Sequence, residues 1–281
     1  HTEGLAHFLE HMLFLGTQRY PLAGEYQTYI SEHGGSHNAS TSLEHTNYFF
    51  SIDADYLEDA LDRFAPFFFE PTFDANYVNR ERNAVESEYQ LKLKSDSRRQ
   101  WDVLREIINP QHPLSKFTVG NNLTLVDGKN GLLRDQLIKM YNHYYSANLM
   151  TLVVLGNESI DKLQTMVENQ FRPIVNNNRV IEPYNVPLVE SSRLPLKASV
   201  KPLKELRELS LLFELPQQDR NWKVKPAMYL GEMIGYEGQG SLLQALKEKG
   251  WAESLSAGPA LSDRGATLFS IDIGLTPVGY Q

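Results

Sequence analysis

The chain has 281 residues, 41% of them hydrophobic and 22% charged, an ordinary globular composition with length for roughly two domains. Its 27 Lys and Arg against 35 Asp and Glu give a formal charge of −8, which argues against nucleic acid or an anionic membrane face as a partner. It has no cysteine, so disulfides, thiolate catalysis and cysteine-ligated metal sites are excluded.

In chain order, Gly4–Leu15 reads as a helix with Thr2 as its N-cap, stopped by Gly16-Thr17 and Tyr20-Pro21. A second short helix covers Glu25–His33 and closes at Gly34-Gly35. Ser36–Thr41 and Thr46–Asp53 read as strands, the latter rich in aromatic and β-branched residues. Tyr56–Phe69 is helical by the spacing of Leu57, Ala60, Leu61, Phe64 and Phe68. Helices follow at Asn76–Lys94, Ser97–Ile108, Asn130–Ser146 and Ile160–Phe171, with a β-rich stretch at Met150–Gly156. A run of Asn and Pro from Asn176 to Pro195 reads as a linker. Beyond it come strands at Lys197–Lys201 and Glu208–Leu215, helices at Ala227–Tyr236 and Ser241–Lys249, and a closing strand at Ala266–Ile273. No apolar run approaches the roughly 18 residues of a membrane helix, and nothing in the composition chooses a compartment.

The second part repeats the first. Glu25 to Gly34 followed by Thr46–Asp53, and Ser241 to Gly250 followed by Thr267–Asp272, both run helix, glycine, polar strand, loop and aromatic strand ending Ser-Ile-Asp. A diverged duplication follows, with chemistry in the first copy only. The fold class is α+β: two tandem homologous domains, each a mainly antiparallel sheet covered by helices, the second incomplete. Residues 1–178 form the first domain, 179–196 the linker and 197–281 the truncated second domain.

His7-x-x-Glu10-His11 carries the chemistry. Residues i and i+4 of a helix share a face, so two imidazoles there reach one ion, with Glu10 beside it. Leu5, Phe8, Leu9, Met12 and Leu13 surround these groups, and buried titratable groups are costly unless paired or metal-bound. A catalytic zinc site needs a third protein ligand and an open position. The charged helix offers Glu81, Glu86 and Glu88; Glu81 and Glu88, seven apart, share a face. A cation held there acidifies water and polarises a carbonyl, with Glu10 as general base; peptide hydrolysis is the natural reaction. Gly235-x-x-Gly238-x-Gly240 lacks the strand and lysine of a phosphate loop. His33, His37 and His45 read as loop or strand residues, since Gly34-Gly35 interrupts any helical ligand face.

Gly4 to Thr17, with its inverted H-x-x-E-H, resembles the zinc signature of the pitrilysin and insulin-degrading enzyme family, the inverzincin peptidases. The resemblance extends through Gly34–Thr41, Ala60–Phe64, Glu81–Glu88, His143–Met150 and Gly235–Ser241. It implies one Zn2+ per chain on His7, His11 and Glu88, with Glu10 as general base and Glu81 in support. It further implies that Asn38 and Ala39 lie on an edge strand pairing with peptide substrates, and that Phe14 lines the pocket beside the scissile bond. Relatives begin with strands before the zinc helix and carry a second half that closes over the first. This chain starts almost on that helix, at His1 rather than Met, and reads as a processed chain or a fragment of a larger enzyme. It is expected to bind zinc with weak or absent hydrolysis by itself, its missing partner being the C-terminal half. Sheet edges left unpaired favour a homo-oligomer. The competing reading is a non-catalytic peptide-binding or scaffold subunit of the same fold.

Overall fold

The computed structural model describes residues 2–129, 131–181, 185–218 and 221–281. The expected helix start at Asn130 and the linker's Pro183 lie outside the described residues. The structure is α+β, with two small antiparallel sheets and helices packed on them. By packing it divides into two compact units, His1–Lys92 with Phe117–Ile181, and Leu93–Lys116 with Glu182–Gln281.

In the first unit, α1 (Leu5–Leu13) and α2 (Glu25–Glu32) precede the hairpin of β1 (Ser36–Thr41) and β2 (Thr46–Ser51). The expected Thr2 cap is not used: α1 starts at Gly4, in the left-handed region at φ 80°, with no side-chain cap. Its Cα packs so closely on Gly120 that a Cβ at position 4 would lie 2.2 Å from the Gly120 Cα, which is why glycine stands there. The hairpin pairs Ser36 with Ser51 through Thr41 with Thr46 and turns through Ser42–His45, where the Ser42 N–H donates to the His45 carbonyl at 2.9 Å. Side chains alternate along it, so His37, Ala39 and Thr41 face inward and Asn38 outward.

Next come α3 (Leu57–Phe64), continued as a 3-10 turn Ala65–Phe68, and α4 (Ala75–Lys92). The tighter turn replaces the end of the helix expected to run to Phe69, because Pro66 has no N–H to continue an α-helical ladder. The core joins Phe8, Leu9, Met12 and Leu13 of α1 to Ile30, Phe64, Phe67, Val85 and Leu137, all nearly inaccessible. Leu137 lies on α6 (Leu133–Tyr144), after α5 (Asp96–Ile107) of the other unit; α7 (Ile160–Phe171) packs Met166 onto Leu57 and Leu61 of α3.

In the second unit, β3 (Glu208–Pro216) is followed by α8 (Pro226–Ile234), α9 (Leu242–Glu248), β4 (Ala252–Ser262) and β5 (Ala266–Leu275), in the sheet order β3-β5-β4. The repeat of helix, glycine and hairpin recurs, since α9 passes through Gly250 (φ 70°) into β4 and β5 as α2 passes through Gly34 into β1 and β2. Ser241 caps α9 by accepting the Gln244 N–H at 3.0 Å. Leu93–Lys116, kept with the first domain in the sequence reading, packs here: Leu104, Ile108 and Leu114 join Leu188, Leu261 and Leu268.

Two expected strands do not form. Met150–Gly156 and Lys197–Lys201 are irregular, with Val153 and Leu155 84% and 92% exposed. A β-prone run makes a strand only where a neighbour accepts its ladder, and neither run finds one among the described residues. Among those residues no helix is long and apolar enough to cross a membrane.

Candidate metal centre

The buried face of α1 carries Phe8, Leu9, Met12 and Leu13 into the core, together with Glu10. That face rotates His7 and His11 toward α4, their rings edge to face with centroids 4.9 Å apart. From α4, Glu88 reaches both rings: its carboxylate oxygens lie 3.8 Å from His7 Nε2 and 3.3 Å from His11 Nε2. One ligand atom from each of His7, His11 and Glu88 can be chosen so that all lie within 4.8 Å of one another.

The far nitrogen of each ring is engaged. His7 Nδ1 lies 2.7 Å from the Val119 carbonyl, which can only accept, so this nitrogen carries the proton and Nε2 keeps its lone pair. His11 Nδ1 lies 3.5 Å from a Glu81 carboxylate oxygen, which selects the same tautomer. Such outer partners set ring orientation and ligand basicity in metal sites. Glu81 is itself held by Arg80 Nε at 3.0 Å, and Glu88 by Lys92 Nζ at 3.1 Å. Glu86 points elsewhere, accepting from Gln90 Nε2 and from the Asn122 N–H.

The electrostatics of the two rings differ. Burial lowers the pKa of His7, only partly offset by the Val119 carbonyl and neighbouring carboxylates. Burial also works against charge on His11, but Glu81 and Glu88 outweigh it and raise its pKa. Glu81 is held below the usual carboxylate range chiefly by His11, and Glu88, despite its burial, by Lys92 and both rings. A ring that gives up its proton readily, a second that draws cationic charge and two carboxylates kept ionised suit a divalent cation.

Phe14 ends α1 and packs edge-on to Phe67 at 5.4 Å, with His37, Tyr26 and Tyr48 at 5.7 to 6.0 Å. Asn38 is exposed on β1, and its side-chain oxygen accepts the Ala39 N–H at 2.9 Å. Among the described residues only β2 pairs with β1, leaving the other edge open. His33 is structural: Nδ1 lies 2.7 Å from the Tyr29 carbonyl and its ring stacks near Tyr29 and Tyr56. Sequence reasoning missed Val119, because a backbone carbonyl leaves no trace in residue type. It also passed over Thr41, whose hydroxyl donates to Glu10 although it lay within the Gly34–Thr41 motif.

The fold and this cluster define a class: a mixed helix and sheet protein with a His-x-x-Glu-His helix facing carboxylates of a second helix. The chain belongs to the peptidase M16 (insulinase) family: residues 1–116 match the insulinase domain of that family and residues 132–281 its inactive domain. It is 42% identical over 279 residues to the A-factor-processing enzyme of Saccharomyces cerevisiae and 43% identical over 279 to the insulin-degrading enzyme of Homo sapiens. Each alignment covers 98% of this chain, which spans 27% of the length of each relative. The crystal structure of pitrilysin superposes with a TM-score of 0.91 at 32% identity, over 99% of this chain and 30% of pitrilysin.

Proposed function

We propose that this chain carries the peptide-hydrolysing site of a larger zinc metalloendopeptidase, with one Zn2+ held by His7, His11 and Glu88. The observation that carries this reading is the convergence of three ligand atoms within 4.8 Å, one from the Glu88 carboxylate and two from rings whose other nitrogens are already engaged. Two imidazoles and a carboxylate with a fourth position open are the donor set of a catalytic zinc. When bound, the ion supplies Lewis acidity to a carbonyl oxygen and acidifies a water.

The chain's own groups do the rest. Glu10, beside His11 on the helix, takes the proton of the attacking water and returns it to the leaving amine nitrogen. The Val119 carbonyl and Glu81 keep the two rings turned with Nε2 inward. An extended peptide joins the open edge of β1 at Asn38 and Ala39 as an added strand, its backbone giving affinity and its side chains selectivity. Phe14 lines the apolar wall beside the reacting bond. Family membership supports the reaction class, and all four site residues stand, which disfavours a non-catalytic scaffold role.

Metal content and two substitutions test it. Glu88→Gln is expected to lose zinc from the chain. Glu10→Gln is expected to keep it while abolishing hydrolysis of a fluorogenic peptide by the peptidase that contains the chain. Full zinc affinity in Glu88→Gln, or an unchanged rate in Glu10→Gln, overturns the corresponding role.

A further inference from the structure

We propose that Thr41 is a positioning residue for the Glu10 carboxylate, the last donor in a one-way pair of hydroxyls that begins at Thr46. Thr41 Oγ1 donates to Glu10 Oε2 across 31 positions of sequence. Thr41 and Thr46 are register partners on the inward face of the hairpin, their hydroxyl oxygens 3.2 Å apart.

The direction of the pair follows from counting protons. An ionised carboxylate only accepts, so Thr41 commits its single hydroxyl proton to Glu10. Thr46, whose hydroxyl meets that of Thr41, must then donate to Thr41. Hydroxyls linked head to tail polarise one another, so the donor that meets Glu10 is stronger than a lone threonine. One carboxylate oxygen is thereby pinned and the plane of the group is set, which aims the other oxygen. The pinning residue stands two positions beyond Ala39 on β1, the strand proposed to receive the peptide, so seating the peptide and aiming the base share one element.

The inference rests on Glu10 being the base, and the test separates the two. In the peptidase containing this chain, Thr41→Val is expected to lower kcat about 100-fold with KM within about twofold, as for a misaimed but present catalytic group. Thr41→Ser, which keeps the hydroxyl, restores kcat to within about threefold of the parent. Thr46→Val, which removes the donor to Thr41, falls between them and decides the matter if Thr41→Val fails to fold. Zinc content stays at the parent level in all three. In the metal-free chain, Thr41→Val lowers Tm by about 4–8 °C, and by less than half as much in a Glu10→Met background. Unchanged kcat in Thr41→Val and Thr46→Val, beside an inactive Glu10→Gln, overturns this inference alone, as does an equal Tm loss in both backgrounds. An active Glu10→Gln overturns the base assignment and this inference with it.

Discussion

Gly4→Ala tests how the backbone supports the proposed metal centre. Gly4 starts α1 at φ 80° and ψ 1°. An alanine Cβ there would lie 2.2 Å from Gly120 Cα and 2.4 Å from Gly120 N, both backbone atoms that no rotamer change can move aside. The left-handed conformation costs a residue with a Cβ about 1–2 kcal/mol, and a forced displacement about 1–3 more, so the sum is about 2–5 kcal/mol. The displacement falls on the Val119–Gly120 peptide, and the Val119 carbonyl lies 2.7 Å from His7 Nδ1. Losing such an outer partner lowers metal affinity about 10- to 100-fold. Urea titration of the metal-free chain reads the first quantity, and zinc competition against a chromogenic chelator reads the second. A parent-like midpoint in Gly4→Ala would refute the packing argument. A destabilised chain with unchanged zinc affinity would refute the link through Val119.

Other substitutions separate the acidic residues of α4. Glu81→Gln should weaken zinc about 10- to 100-fold in a calorimetric titration, Glu88→Gln more severely, and Glu86→Gln hardly at all, since Glu86 serves Gln90 and Asn122. Phe8 is fully buried on the core face of α1, so Phe8→Ala should cost about 3–5 kcal/mol by denaturant unfolding; a loss below about 1 kcal/mol would mean that the site collapses freely. In the second unit His112 is fully buried, and burial holds its pKa below the ordinary 6.5 despite the charges of Asp263 and Glu214. Its Nδ1 accepts the Leu114 N–H at 3.2 Å, a bond that belongs to an unprotonated nitrogen. As pH falls below about 6.5 the unfolded chain binds this proton first, so stability is level above that pH and declines below it. Chemical denaturation across about pH 5–8 should show that decline, flattened in His112→Gln; an identical slope in the variant would discard His112 as its source.

The helices were legible because their signals are local. The apolar spacing of α3 and the breaks at Gly16 and at Gly34-Gly35 act within a turn or two of chain, and the elements lie within a few residues of where those signals put them. The hairpin of β1 and β2 was legible for the same reason: alternation and a short polar turn are nearest-neighbour properties. Met150–Gly156 and Lys197–Lys201 carried β-prone residues without a ladder to join, so composition overstated them. The strand β4, placed only loosely by the repeat, became definite through its register with β5. Leu93–Lys116 moved to the second unit because its apolar residues meet Leu188 and Leu268, a match invisible from their own spacing.

At the candidate metal centre the same boundary holds. Sequence alone set His7 and His11 one turn apart on an apolar helix with Glu10 beside them, because helical geometry converts a spacing of four into a shared face. It also set Glu81 and Glu88 on one face of α4, and went no further from spacing than that. Tertiary packing decided how α1 meets α4, so that Glu88 reaches both rings while Glu81 meets the outer nitrogen of His11. It likewise brought the Val119 carbonyl to His7 and the Thr41 hydroxyl to Glu10 from 112 and 31 positions away. Those pairings depend on the approach of separate elements, which no local periodicity encodes.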